Sequence, residues 1–426
     1  MLKRHAVGAA LTAFGVLLAA VPAAWAHDQG GHDHGARTLW ASPGGGSGPC
    51  KQWAPCSLSN AVSAAAAGDK VVALPGVYHG GVVLNKAIDL RGVGAVIDAS
   101  SSTTGNGVQI VGPGGSGSSV EGFKIENAEF EAILVGTAPV APSSTDGTPV
   151  TVGQPVSDVR IERNIIVNND AGFGKTPAAG QCFSTPNAPG DCGEGIHLVA
   201  VTNSVVEDNY VVNNAGGVLL TDEFGPTAHN VIRDNDSSNN IHDCGITLAS
   251  HSAAVDPNTL QPTGAAGVFD NLIEGNVVNG NGTQGQGAGI LMGGGAPFSG
   301  VYGNVIRDNF AKDNGLGGVT IHQHLAGDLN GNVIERNVFI HDNLQPDQDF
   351  AGIFDAVTTG VLVESGPPPG PALPPFLLPG KLENTVIRDN AFLDNQIGIF
   401  TLGVDAGTTT IAHNFFSPGT TPISVN

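Results

Sequence analysis

Apolar and polar residues alternate in short runs along most of this chain, and the runs recur. "NVIRDN" stands at Asn230 and again at Asn304, with close copies ending at Asn337 ("NVIERN") and Asn390 ("TVIRDN"). Aligned on the last Asn, further copies end at Asn164, Asn209, Asn276 and Asn414. A second short element led by glycine follows: "GIHLV" at Gly195, "GVLLT" at Gly217, "GITLA" at Gly245, "GILMG" at Gly289, "GVTIH" at Gly318, "GIFDA" at Gly352 and "GIFTL" at Gly398. The residues one and three after each Gly are mostly Ile, Val, Leu or Met. That is the period of a strand, and it points both side chains to one face. Gly and Asn between the elements supply bends, including positive φ.

Units this short cannot bury a face alone. Stacking them does, so the pattern predicts an all-β solenoid with strands parallel between coils and about 4.8 Å apart. The shortest coils separate Asn209 from Asn235 and Asn309 from Asn337. Longer ones carry insertions at 170–193, 249–270 and 357–383. In a stack, the residue two before each final Asn forms an outward column: Glu162, Glu207, Arg233, Glu274, Arg307, Glu335, Arg388, Ala412. From Glu207 to Arg388 the sign alternates at every coil. Opposite charges on neighbouring strands attract, each pair by roughly 0.2–1 kcal/mol. The recurring Arg is therefore a rung of an exposed ladder, and the final Asn an internal amide ladder at a bend.

Composition agrees. Aromatic residues are 5% of the chain and glycine supplies 62 positions. That suits many thin stacked units better than one bulky core, and 41% apolar content excludes general disorder. Residues 1–26 read as an export leader: Lys3 and Arg4, an apolar run from Ala6 to Val21, then Ala24-Trp25-Ala26. Residues 27–37 form a His-rich tail and 38–426 one solenoid domain, secreted or periplasmic. No later segment is long and apolar enough to anchor it in a membrane. Losing Lys3 and Arg4 takes the formal net charge from −21 to −23, which speaks against nucleic acid and anionic membranes. Among five cysteines, Cys50–Cys56 is close enough for a local bridge. Cys182–Cys192 makes a second, with Cys192–Cys244 as the alternative, and Cys244 otherwise reads as a small buried hydrophobe.

A further passage narrows the fold. "SLSNAVSAAAAGD" from Ser57 resembles an amphipathic cap helix, and "GDKVVALPGVYHGGVVLNKAIDLRG" from Gly68 resembles a first coil turning at Pro75-Gly76. With the repeats, residues 38–426 resemble the right-handed parallel β-helix, or pectin-lyase-like, superfamily. That resemblance implies a right-handed β-helix with a short N-terminal capping helix. It spans lyases, hydrolases, epimerases and proteins without activity. The chain lacks the Asp-Asp and Gly-His-Gly of the polygalacturonase-like branch, the Arg-x-Pro of pectate lyases and the Asp-Pro-His of alginate epimerases. What it then resembles is the broad group of secreted β-helix repeat proteins, some of which serve copper-enzyme maturation in the periplasm.

The insertions flank the glycine-led strand and would wall a groove along it. Outward positions there are His197, Thr247, Thr320, Phe354 and Phe400, candidates for substrate contact. Asp222, Glu223, His251, His322 and His324 lie at strand ends and are candidates for acid–base work on a glycosidic bond or a sugar α-proton. His322 and His324 are two apart, as in metal sites built on strands. Asp355 and Thr401 occupy columns that are apolar elsewhere, and a buried Asp needs a partner. After cleavage His27 would pair a free amine with an imidazole, and with His32 or His34 could hold copper or zinc. The sequence thus gives three readings. One is a polysaccharide-binding protein, whose activity would be that of a lyase, hydrolase or epimerase aided by a divalent cation. The others are a non-catalytic scaffold and a periplasmic metal-handling protein.

Overall fold

One coil shows how the sequence closes on itself. Short strands at Thr227–Ala228, Val231–Arg233 and Asp236–Ser238 are followed by a longer one at Ile246–Ser250. Between the short strands stand His229, Asp234 and Asn239, each with φ between 55° and 59°. Each of these left-handed residues is followed by an Asn: Asn230, Asn235 and Asn240. One positive-φ residue every five positions bends the chain without a loop. The computed structural model describes residues 35–136, 155–175, 192–250, 267–294, 299–323, 327–345, 357–365, 382–404 and 408–425. Within them the coils stack as a right-handed parallel β-helix, as the repeats predict. All named strand pairings are parallel, and they assemble into sheets of 21, 11 and 5 strands.

The Asn residues form three ladders where the repeat reading expected one. Along Asn164, Asn209, Asn235, Asn276, Asn309, Asn337, Asn390 and Asn414, each side-chain Nδ2 donates to the next Oδ1 at 3.0–3.1 Å. A second ladder runs through Asn230, Asn271, Asn304 and Asn332. The third runs through Asn169, Asn214, Asn240, Asn281 and Asn314, and then meets Asp342. A single Asn per coil stood out in sequence because only it ends the charged string.

The core between the sheets is a continuous column of Ile, Val and Leu, with Phe339, Phe392 and Phe416 stacked toward its C-terminal end. At the other end the expected cap helix is α1, Leu58–Ala64, which buries Leu58, Ala61 and Val62. The Lys86 ammonium donates to the carbonyls of Val62, Ser63 and Ala65, satisfying groups that a helix end leaves open. Cys50 and Cys56 are disulfide-bonded, while Cys244 is a buried free thiol, so the Cys192–Cys244 alternative does not form. Burial pushes the Cys244 thiol well above its ordinary pKa. Cys182 lies outside the described residues.

The charge column forms in the expected register, Glu207 beside Arg233, Arg233 beside Glu274, and on to Glu335 beside Arg388. Arg307 contacts Glu274 at 2.8 Å, and Arg388 contacts Glu335 at 2.6 Å. Burial would raise the Glu335 carboxyl, yet hydrogen bonds from Arg388 and Arg336 bring it below its ordinary value. Arg388→Ala is expected to cost about 0.5–1 kcal/mol, because Glu335 keeps Arg336 at 2.6 Å. Urea unfolding in low and in molar salt would check this, since the loss should shrink as salt screens the pair.

One strand sits elsewhere than the repeat suggested. The coil after Asn337 uses Thr359–Ser365, whose Val361 pairs with Val319 and Ile399. "GVLVES" thus takes the place expected of "GIFDA", and the segment 357–383 contains a strand rather than only an insertion. Thr401 is buried beside Val363. Phe354 and Asp355 lie outside the described residues.

Candidate functional site

In the repeated coils from Gly195 to Gly398 the strands of the 11-stranded sheet carry glycine near their start, where neighbouring coils approach closely. A Cβ on Gly217 would lie 2.0 Å from the Gly245 carbonyl oxygen of the next coil. Close approach, rather than an unusual φ, is what this glycine provides. Ile196, Leu198 and their equivalents then turn into the core, which leaves two outward columns. One reads Leu134, His197, Leu219, Thr247, Leu291, Thr320, Leu362, Phe400. The other reads Thr221, Ala249, Gly293, His322, Glu364, Leu402.

The first column is largely apolar and mostly buried. Phe400 and Leu362 share a cluster with Cys244 and Leu316. Phe400 is 8% exposed, so its ring face is packed against neighbours. His197 is fully buried in a polar chain. Its Nδ1 lies 3.3 Å from Glu131 Oε1 and its Nε2 lies 3.0 Å from Thr221 Oγ1. The other Glu131 oxygen accepts from the Glu194 amide at 2.7 Å. Carboxylate, imidazole and hydroxyl thus stand in line, each at 0% exposure. Nothing in the repeat singled out Glu131, which precedes the strand Ile133–Gly136, or Glu194, which opens the strand Glu194–Val199.

Asp222 is buried at the corner after Thr221, where it accepts from Ser250 Oγ and from the Gly267 amide, both at 2.8 Å. It braces two coils. Glu223, its neighbour, is also buried. His322 is three coils along, roughly 14 Å by strand spacing. The candidate acids and His322 are therefore not brought together. Thr247 is buried, as is Thr320. His251, His324, His27, His32 and His34 lie outside the described residues.

The second column holds the remaining chemistry. His322 and Glu364 are register partners on adjacent strands, beside Gly293. A Cβ on Gly293 would meet nothing closer than 3.7 Å, so the lattice opens next to the imidazole. Two residues before His322 on the same outward side, the Thr320 hydroxyl is buried without a hydrogen-bond partner. A buried orphan oxygen asks for a water or an ion. Imidazole, carboxylate and hydroxyl form a donor set that suits a divalent transition metal, copper included. Among the described residues no three His, Cys, Asp or Glu side chains form a closed metal site. Any further ligand must come from outside them.

Stacked parallel coils, Asn ladders and a capped first turn define a right-handed parallel β-helix repeat protein. The chain belongs to the family described as periplasmic copper-binding protein (NosD), whose model matches residues 101–347, more than half of its length. Two solved structures share the fold. The A-module of mannuronan C-5 epimerase AlgE4 from Azotobacter vinelandii is 16% identical with a TM-score of 0.51, over 86% of this chain and 93% of that one. The catalytic domain of a GH87 alpha-1,3-glucanase is 11% identical with a TM-score of 0.50, over 84% of this chain and 63% of that one. No curated protein matches the sequence.

Proposed function

We propose that this is a periplasmic copper-handling protein, with one metal site at His322 and Glu364 on the outward face of the 11-stranded sheet. The observation that carries the reading is the family match, and the donor set beside the orphaned Thr320 hydroxyl supports it. His324, two residues further along the sequence, is the third ligand in this proposal. The tail His27, His32 and His34 offers a second, separate capture point. Imidazole nitrogens bind copper of either common charge, and the net charge of −21 draws cations toward the surface. The leader read from the sequence and the family's description both support a periplasmic location.

Metal analysis of exported protein dialysed against copper would test this. Wild type should retain copper, His322→Ala and Glu364→Gln should each lose one equivalent, and deletion of residues 27–35 should remove a different one. Copper retention unchanged in all three variants would sink the proposal.

Polysaccharide chemistry is a second reading, supported by the fold shared with the epimerase module and the glucanase domain. The line Glu131–His197–Thr221 is closed to solvent, so it would act on a glycan only if the sheet opened to admit one. Reducing-end release from neutral and acidic glycans should fall at least about 100-fold in His197→Ala if this line works as an acid–base pair. No release by wild type removes the reading.

A further inference from the structure

Copper reaches a protein as copper(I) or copper(II), and the softness of the donors separates the two. Thiolate and thioether sulfur select copper(I), whereas copper(II) takes nitrogen and oxygen donors in a square or tetragonal arrangement. The sulfur of this chain is two methionines and five cysteines. Met1 belongs to the leader read from the sequence. Met292 is fully buried in the apolar column between the sheets. Cys50 is bonded to Cys56 and Cys192 is disulfide-bonded as well, so two bridges take four of the five cysteines. Cys244 is free, but it is 1% exposed and packed against Leu316, Leu362 and Phe400. Burial keeps its thiol protonated, and only the thiolate binds a metal. Among the described residues, no sulfur atom is offered to a copper ion at the surface.

The donors within reach are hard. His322 and Glu364 are register partners on adjacent strands and share the outward side of the sheet. Adjacent strands lie about 4.8 Å apart, and their outward side chains stand roughly perpendicular to the sheet. Imidazole and carboxylate therefore approach one ion from the same side, as neighbours. That is one edge of the square that copper(II) adopts. A two-coordinate copper(I) ion holds its donors on opposite sides, which parallel side chains on neighbouring strands do not supply. The orphaned Thr320 hydroxyl on the same outward side adds oxygen, not sulfur. Taking the copper site above as given, we infer that the protein carries its cargo as copper(II), on His322 and Glu364, and does not hold copper(I).

The exported chain, loaded separately with each ion, tests this. After dialysis, copper(II) should remain and give an axial electron paramagnetic resonance signal split by nitrogen. His322→Ala and Glu364→Gln should each lose one equivalent of that signal, with far-UV circular dichroism unchanged. Copper(I), loaded without air in the presence of ascorbate, should pass completely to bicinchoninate. Copper(I) held against bicinchoninate overturns the inference, whether or not copper(II) is held too, and leaves the copper reading standing. A copper(II) signal that both variants leave intact overturns the assignment to His322 and Glu364. Retention of neither ion removes the copper reading, and the inference with it.

Discussion

Replacing Asn276 with Ala is expected to remove on the order of 4 kcal/mol of stability, a large part of what a domain usually has. Asn276 is 1% exposed and sits mid-stack. Its Oδ1 accepts from both the backbone amide and the side-chain amide of Asn235, each at 3.0 Å. Its Nδ2 donates to the Ile232 carbonyl at 2.9 Å and to Asn309 at 3.0 Å. Truncation leaves buried groups on two neighbouring coils unpaired, each costing about 1–3 kcal/mol, and adds a cavity. Coils in a solenoid are held mainly by their neighbours, so a defect in the middle weakens both sides. Asn414 ends the same ladder and is only half-buried. Asn414→Ala should therefore cost much less, about 1 kcal/mol. Urea midpoints for the two variants give the comparison. A loss at Asn276 no larger than at Asn414 would mean that the ladder follows the fold rather than holding it.

How much of this was legible in the sequence depends on how local each signal is. The strand-period alternation and the cap helix show within single short segments, the alternating Glu and Arg column shows once the copies are aligned, and each stands in the structure. The five-residue spacing of Asn230, Asn235 and Asn240 is equally regular. It was hidden because the residue before each Asn varies among His, Asp and Asn, which share only their tolerance of positive φ. "GIFDA" and "GVLVES" both place an apolar residue directly after a glycine, eight residues apart, and Asp355, third after Gly352 where Val363 is third after Gly360, was the local sign that "GIFDA" breaks the pattern. The pairing of Val361 with Val319 and Ile399 settles the choice, and it alone brings Glu364 beside His322. The His322 position was thus readable, but its carboxylate partner was not. The line from Glu131 through His197 to Thr221 joins residues 66 and 24 positions apart, which only the stacking of coils brings together.

Asp342→Asn is expected to stabilise the protein, increasingly as pH rises. Asp342 stands where the third ladder calls for Asn and is fully buried. Its Oδ1 behaves as an Asn oxygen, accepting from the Asn314 side chain at 2.8 Å. Its Oδ2 has no hydrogen-bond partner and lies near Gly318, where an added Cβ would approach it to 2.8 Å. The next rung, Asn395, meets Asp342 with its own Oδ1, which accepts the Asp342 amide at 3.1 Å. A proton on Oδ2 would make that oxygen a donor, as Nδ2 is in the other rungs. A bare carboxylate would set acceptor against acceptor in a fully buried site. Burial accordingly pushes the Asp342 carboxyl up to about 8. The unfolded chain titrates it near 4, so below that pH both states hold the proton and the ladder is intact. As pH rises from about 4 through about 8, only the folded state still binds the proton, and stability falls by up to about 1.4 kcal/mol per unit. Asn carries its donor at every pH. The variant should match wild type near pH 4 and exceed it by on the order of 3 kcal/mol above pH 7. Urea midpoints of both proteins from pH 4 to 9 separate this slope from that of the other carboxylates, which the two share. Parallel curves would show that Asp342 is ionised in the folded protein and that a cation or a rearranged rung neutralises it.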